Sequence, residues 1–249
     1  MSRMMDIPIL VFVVTAVTMW SAAWIGARAL KQHQVPEHRI FDVVLAGAVT
    51  ILGLIIGFSF SMATSRYDER KIYEESEANA IGTEFARADL LPAADAGKVR
   101  VLLRSYLGER VLFYQTRDPA RLREISQETL RLQKELWSSV VGSAAAQPTV
   151  LTALAVSGMN DVSNSEGYTS AAWLNRIPIQ AWGLMFIVAV GCNIMLGYNT
   201  RKLNAILIIL PFVVAVCFML IADIDSPRSG IIRVQPENLL RLVGPLSPG

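Results

Sequence analysis

The sequence predicts an all-α membrane protein with four transmembrane helices and a helical domain outside the membrane. Hydrophobic residues make up 53% of the 249 residues and charged residues only 18%, below the roughly 25% that is typical of soluble domains. The apolar residues also gather in four uncharged stretches, each near the roughly 20 residues that a helix needs to cross a bilayer. This composition argues against a soluble chain and excludes a disordered one.

The four predicted spans are closely bracketed by charged residues and contain none. They cover residues 7–27, 43–65, 177–200 and 203–222. The first span is too long for the core of a signal peptide and a second span follows it, so we expect it to be retained. The lack of internal charge argues against a proton relay or a charged transport site at mid-membrane.

Most of the charge lies between the second and third spans, where acids and bases are mixed in a helical pattern. No proline occurs between Pro36 and Pro92, so the second span is predicted to continue unbroken toward Leu90 as a helix about 70 Å long. The tail after the fourth span is too apolar to be free and is predicted to pack on this central domain. The predicted division of the chain is therefore 1–65, 66–175, 176–222 and 223–249.

Within the central segment, the spacing predicts a helix from Val99 to Tyr114. Asp118 followed by Pro119 predicts a helix start, and that helix is expected to end near Val141, before a break at 142–148. A further helix is predicted from Thr149 to about residue 160. The polar stretch 163–167, which follows, is expected to end or loosen this helix. Four acids of the projecting helix are interpreted as a charged surface that pairs with nearby bases, in preference to a cation site: Glu74, Glu75, Glu77 and Glu84, with Arg70, Lys71 and Arg87.

Sequence motifs of enzymes and cofactor sites are missing from this chain. The two histidines belong to no HExxH motif or Cys/His cluster, and there is no Walker loop, GxGxxG or Gly-x-Ser-x-Gly motif. We therefore predict no catalytic residue, no metal and no cofactor, and we interpret Cys192 and Cys217 as packing residues within spans. The net charge of +2 gives no reason to expect a nucleic-acid partner.

The second span carries the most informative residues. Gly53 and Gly57 form a small-xxx-small pair that suits close helix packing. Together with Thr50, Ser61 and Thr64 they give the helix one small, weakly polar face. Such a face suits either packing against another helix or a wall beside water, and the residues alone leave both open.

Several short motifs resemble those of the bestrophins, and more closely those of a bacterial group called bestrophin-like. The second span contains Gly57-Phe58 and leaves the membrane at Arg66-Tyr67. Further similar stretches open the third span, follow the fourth span and continue along the projecting helix: 176–182, 222–230, 80–82 and 87–92. The closer resemblance extends over most of the chain, whereas that to true bestrophins rests on these short motifs.

The resemblance implies a homopentamer in the bacterial inner membrane, with five subunits around an ion pathway lined by the second helix. It implies a pore neck at Thr50, Leu54 and Phe58. We expect Ser61, which lies on the small face of the same helix, to line the pore as well. Thr50 departs from the apolar residue of that neck, and the acidic clasp behind calcium gating is not recognisable. The resemblance also implies that the termini and the helical domain are cytoplasmic, although the positive-inside rule gives a mixed answer.

The predicted function is passive conduction of small ions. The short loops carry a positive excess that would raise the concentration of anions such as chloride at one pore mouth: Arg28, Lys31, Arg39, Arg201 and Lys202. One alternative is a non-conducting scaffold or signalling protein whose helical domain binds a partner. A secondary transporter fits less well, because the uncharged spans show neither an inverted repeat nor a pair of broken helices.

Overall fold

The structure, a computed structural model, describes residues 7–29, 38–199 and 206–246. These residues form helices and connecting loops, with no β-strand among them. Four helical stretches are long and apolar enough to cross a membrane, which confirms the predicted all-α membrane class. The helices are α1 (Pro8–Ala29), α2 (His38–Arg87), α3 (Ala93–Gln115), α4 (Pro119–Ala146), α5 (Val150–Leu174), α6 (Ile179–Asn199), α7 (Ile206–Asp225) and α8 (Glu237–Leu246), with a 3₁₀ turn at Ala88–Leu90.

The chain forms two compact units, and each is built from two separate parts of the sequence. The first unit contains the described residues up to Tyr67 together with Arg176–Arg233. The second contains Asp68–Asn175 and the described residues from Val234 onward. Helix α2 contributes to both units, since it runs without interruption for 50 residues, or about 75 Å. The prediction of an unbroken second helix is therefore confirmed.

In the first unit, α1 packs against α6 and α7. Its contact with α6 is close because glycines stand where the backbones meet. A Cβ added to Gly197 would lie 1.9 Å from the carbonyl oxygen of Ala23, and one added to Gly26 would lie 2.1 Å from that of Ile194. Bulky buried side chains fill the remaining core between the helices, including Met19, Leu52, Trp182, Met185 and Phe218.

In the second unit, the charged half of α2 packs antiparallel to α5. The Nε of Arg70 donates to the carbonyl oxygen of Ala172 at 3.4 Å, in the last turn of α5, where a cation is favourable. Further along, the rings of Tyr73 and Tyr168 stack with centroids 5.9 Å apart. The residues that fill the core of this unit come from every helix in it, among them Ile81, Leu103, Tyr106, Ile125, Leu136, Met159 and Leu239.

The short helix α8 begins on the side chain of a buried acid of α2. The backbone N–H groups of Asn238 and Leu239 donate to Oε1 of Glu74 at 2.9 and 3.0 Å, and Nδ2 of Asn238 donates to Oε2 at 2.6 Å. A carboxylate at this position satisfies free N–H groups of the first turn and favours the helix dipole. Leu242 then lies over Gly82, where an added Cβ would be 3.1 Å from the leucine Cδ1.

The predicted start of α4 is confirmed, but two predicted helix ends are wrong. Asp118 caps α4 by accepting from the N–H groups of Ala120 and Arg121 at 3.2 and 3.1 Å. Helix α4 then continues through Gly142 to Ala146, because the face that contains Val140 and Ser143 is buried. Burial of such a face outweighs the roughly 1 kcal/mol that an interior glycine costs.

Helix α5 likewise continues past the polar stretch 163–167, to Leu174. The hydroxyls within that stretch bond to carbonyls of their own helix and therefore do not compete with it. Ser163 donates to the carbonyl oxygen of Met159 at 3.1 Å and Ser165 to that of Val162 at 2.8 Å. Ser165 and Thr169 are also buried, so this polar segment lies against the core of the second unit.

Candidate pore helix

The membrane half of α2 is the least covered of the four apolar spans in the described part of the chain. In its most hydrophobic stretch 11% of the residues are buried, against 50% in α7. Leu52, Ser59 and Ala63 form the buried side. On the other side Leu54 and Phe58 are 57% and 65% exposed. A broad face of this helix therefore contacts nothing in the described part of the subunit.

The four predicted pore-lining residues all lie on this uncovered side. Thr50, Leu54 and Phe58 follow one another at one helical turn each, and Ser61 lies beside them at a spacing of three. All four side chains are exposed. The hydroxyl of Thr50 donates to the carbonyl oxygen of Ala46 at 2.8 Å, which leaves its oxygen able to accept a hydrogen bond.

Gly53 and Gly57 also face open space. A Cβ added at either position would meet no atom within 4 Å among the described residues. The glycine pair therefore takes no part in helix packing within the described subunit, in contrast to Gly26 and Gly197. A groove lined by these two glycines is accessible to the side chains or the backbone of another helix.

Of the five predicted mouth charges, the structure describes one side chain. Arg28 is exposed, and its guanidinium carbon lies 4.8 Å from the ring centroid of Trp24, a cation–π distance. The side chain of Arg39 and all of Lys31, Arg201 and Lys202 lie outside the described residues. Near this end of the spans, Asn199 donates to Asp42 at 2.7 Å.

The interpretation of the acids of α2 as a charged surface is wrong for most of them. Glu74, Glu77 and Glu84 are at most 2% exposed, and Arg70 is 1% exposed. Their spacing contained the signal that was missed. With Ile81 they recur every three or four residues and form one helical face, as core residues do.

Glu77 is the hub of a buried polar network in the second unit. It pairs with Arg110 and accepts hydrogen bonds from the hydroxyls of Tyr114 and Thr169 at 3.3 and 3.2 Å. Burial disfavours the charged form of Arg110, but the Glu77 carboxylate outweighs it and the pKa of Arg110 is raised above its ordinary value. Burial, and then Glu77, raise the pKa of the Tyr114 hydroxyl. Since its acceptors are satisfied by protein donors, this network is structural.

A family model described as a bestrophin-like domain matches residues 10–239, which is most of the chain. The chain belongs to the bestrophin-like family. Among the described residues of this bestrophin-like protein, no group of three or more His, Cys, Asp or Glu side chains is arranged to hold a metal ion.

Solved structures share this fold at low sequence identity. Two point mutants of a bacterial bestrophin homolog from Klebsiella pneumoniae match with TM-scores of 0.67 and 0.65, each at 14% identity. They cover 96% and 95% of this chain and 97% and 98% of their own. The same homolog solved by Zn-SAD phasing matches with a TM-score of 0.62, also at 14% identity, over 95% of this chain and 98% of that one. No curated protein matches the sequence.

In this bestrophin-like chain, two carboxylates fix the end of the last span. Asp223 accepts from the backbone N–H groups of Ile231 and Ile232 at 2.8 and 2.9 Å. Asp225 accepts from the N–H of Ile177 at 3.0 Å and lies 3.5 Å from Nε of Arg176. These bonds join the end of α7 to the start of α6 and to the segment that follows α7.

Proposed function

We propose that this protein is the subunit of an ion channel in the bacterial inner membrane. Five copies surround a central pathway lined by α2, and small monovalent anions such as chloride pass through it without energy input. The single observation behind the proposal is the uncovered face of α2, which combines exposed apolar side chains with hydroxyls and glycines. Membership in the bestrophin-like family supports it.

A ring of copies gives each part of this face a role. Gly53 and Gly57 permit the close approach of a neighbouring helix, because small residues let backbones meet in the bilayer. Leu54 and Phe58 form an apolar constriction, which gates by excluding water when it is narrow. Thr50 and Ser61 offer hydroxyls to a partly hydrated ion on either side. A cyclic ring is the closed symmetry that a central pore needs.

The preference for anions rests on the short loops between the spans. In a ring, Arg28 in the last turn of α1 and the basic residues of these loops would place a positive potential over one mouth. Salt screens such a field within about 8 Å, so the loops must line the entrance for it to act. In the proposed orientation the termini and the second unit are cytoplasmic.

The decisive test is ion flux through the purified protein in liposomes, with paired phenylalanine variants. Phe58→Ala removes the ring at the proposed constriction and should raise the flux. Phe60→Ala is the matched control, because Phe60 is 43% exposed on the same helix but points toward the other edge of the uncovered face. Unchanged flux in Phe58→Ala beside measurable flux in the parent would place the constriction elsewhere. No flux in the parent would reject the channel.

Three further measurements address the finer parts of the proposal. Images of the particle in mild detergent should show five-fold symmetry, and a monomer or dimer would contradict the ring. Reversal potentials under a salt gradient should follow chloride, and a potassium or sodium reversal would overturn the anion preference. A reporter enzyme that is active on one side of the membrane, fused at Gly249, should report the cytoplasm.

A second candidate is a non-conducting scaffold, and an exposed apolar stripe on α4 favours it. Leu130 and Trp137 are two helical turns apart and are 54% and 42% exposed, and Val141 continues the stripe at 36%. Such a stripe is suited to binding a partner protein. The flux assay separates the two candidates, since a scaffold conducts nothing.

A further inference from the structure

A third buried acid of α2, Glu84, differs from Glu74 and Glu77 in having no hydrogen-bond donor among the described residues. Its side chain is 0% exposed, and neither carboxylate oxygen has a hydrogen-bond partner among the described residues. An ionised carboxylate in such a position is expensive, because burial removes water without replacing its hydrogen bonds. A protonated carboxyl is neutral and tolerates the same position far better.

Glu84 lies where α2 passes α5, over a glycine of α5. A Cβ added to Gly158 would be 2.0 Å from Oε2 of Glu84 and 2.5 Å from Nη1 of Arg87. The two side chains therefore share the space above one glycine. Any other residue at position 158 would displace them.

Arg87 stands between two acids. Its Nη1 lies 3.8 Å from Oδ2 of Asp161 on α5, and this pair is partly exposed. The charged groups that act on Glu84 are thus Arg87 on its own helix and Asp161 on the facing helix. Burial raises the pKa of Glu84 to about 8, although Arg87 acts to lower it and Asp161 adds to the rise.

We propose that Glu84 is a proton-binding switch at the contact between α2 and α5. While Glu84 is protonated, Arg87 pairs with Asp161 and the helices pack closely over Gly158. When the O–H bond of Glu84 breaks and the proton leaves to solvent, the new carboxylate attracts Arg87 away from Asp161. The contact between the helices then loosens, because a charge now lies in their interface.

A groove beside the switch brings solvent close to Glu84. It has a volume of about 240 Å³ and lies between the same two helices, with Arg87, Gly158 and Asp161 in its wall. The other lining side chains include Ser76, Asn79 and Thr83, which can hold water by hydrogen bonding. Glu84 itself is 0% exposed, so a shift of the Arg87 side chain that separates it from this groove must accompany exchange of the proton.

Infrared spectroscopy tests the protonation directly, since a protonated carboxyl has a C=O stretch that a carboxylate lacks. In the full-length parent this band should persist at pH 7 and disappear in the mildly alkaline range. Glu84→Gln should abolish it, and Glu75→Gln should leave it, because Glu75 is exposed on the same helix. A parent without a titrating band between pH 6 and 10, or a band that survives in Glu84→Gln, would overturn the proposal.

Variants of the residues around Glu84 should move the midpoint of this infrared titration in opposite directions. Asp161→Asn frees Arg87 for Glu84 and should lower the midpoint, whereas Arg87→Gln should raise it by about one pH unit or more. Gly158→Ala displaces the carboxyl toward the groove and should lower the midpoint even if Glu84→Gln folds poorly. The same midpoint in all three variants would contradict the proposal that Arg87 moves between Asp161 and Glu84.

Hydrogen exchange tests the change in packing. Above the midpoint, the amides of α5 should exchange faster in the parent than in Glu84→Gln at the same pH, and below it the two should agree. Equal exchange at every pH would overturn the switch.

Glu84 and the proposed constriction residue Phe58 lie on the same helix, so the switch could gate conduction. This role in gating rests on the proposed function. Parent flux should change between pH 7 and 9 while flux in Glu84→Gln stays constant, and a parent flux independent of pH would overturn the gating role. The infrared and exchange experiments need no conduction. A negative result in those two experiments would therefore reject the switch and leave the channel proposal intact. An absence of flux in the parent would reject the channel proposal and leave the switch intact.

Discussion

Replacing Glu77 by glutamine should destabilise the second unit strongly. Glu77 and Arg110 are 0% and 1% exposed, and removing one partner of a buried pair costs about 3–5 kcal/mol. Among the described residues Arg110 would keep Glu166, at 3.7 Å, as its acidic partner, while Tyr114 and Thr169 can still donate to the amide oxygen. We therefore expect a loss near the lower limit, about 3 kcal/mol. At about 2–4 °C per kcal/mol for a chain of this size, Tm falls by roughly 6–12 °C.

Thermal melts of the purified protein in detergent, followed by circular dichroism, measure this loss. Glu124→Gln is the control, because it breaks an exposed pair with Arg121 and should leave Tm unchanged. Glu77→Gln combined with Arg110→Met should recover much of the loss, since no charge of this pair is then left buried. A Glu77→Gln melt equal to the parent, or a double variant that loses as much as both single variants together, would refute this reasoning.

Three other predictions follow from contacts in the two units. Gly197→Ala places a Cβ 1.9 Å from the carbonyl oxygen of Ala23 and should cost about 1–3 kcal/mol. The control, Gly191→Ala on the same helix, meets no atom within 4 Å and should not lower Tm. The same Tm in both variants would show that α1 and α6 can move apart without loss of stability. Asp118→Ala removes the cap of α4 and should cost about 1 kcal/mol, visible as a Tm lower by about 2–4 °C; a melt unchanged from the parent would mean that the cap contributes nothing. The pKa of Glu84 rises from 4.5 unfolded to about 8 folded, so the folded chain must hold a proton that the unfolded chain releases and stability falls as pH rises across that interval. Glu84→Gln should lack this fall, and its Tm advantage over the parent should grow between pH 4.5 and 8; a constant difference would contradict the shifted pKa.

Much of the fold was predictable because its strongest determinants are local in the sequence. Uninterrupted hydrophobicity predicts the spans, and the proline-free run predicts the continuous α2. Asp118 with Pro119 predicts the start of α4. The ends of α4 and α5 were not predictable, because Ser143 and Ser165 are buried by residues that are distant in sequence.

The candidate site was less predictable, for a related reason. The membrane half of α2 is uncharged on all sides, so its own sequence does not indicate which face the other helices will cover. The small face at Gly53 and Gly57 was a fair candidate for packing, yet the buried side holds Leu52 and Ala63. In the charged half, the buried acids were interpreted as surface because their partners are far away in sequence, as Arg110 is from Glu77.

The interleaving of the two units sets the order in which this chain can be completed during synthesis. Helix α1 emerges more than a hundred residues before α6 and α7, its partners in the first unit. At about 5–20 residues per second, α1 waits roughly 8–30 seconds for α6, with an apolar surface that lipid can cover in the meantime. The acids of α2 must meanwhile stay hydrated until α3, α5 and finally α8 arrive, and their charge opposes insertion of that half of the helix into the bilayer. A chain that lacked α8 would leave Glu74 without the N–H donors of Asn238 and Leu239, and its exposed core would be open to proteases.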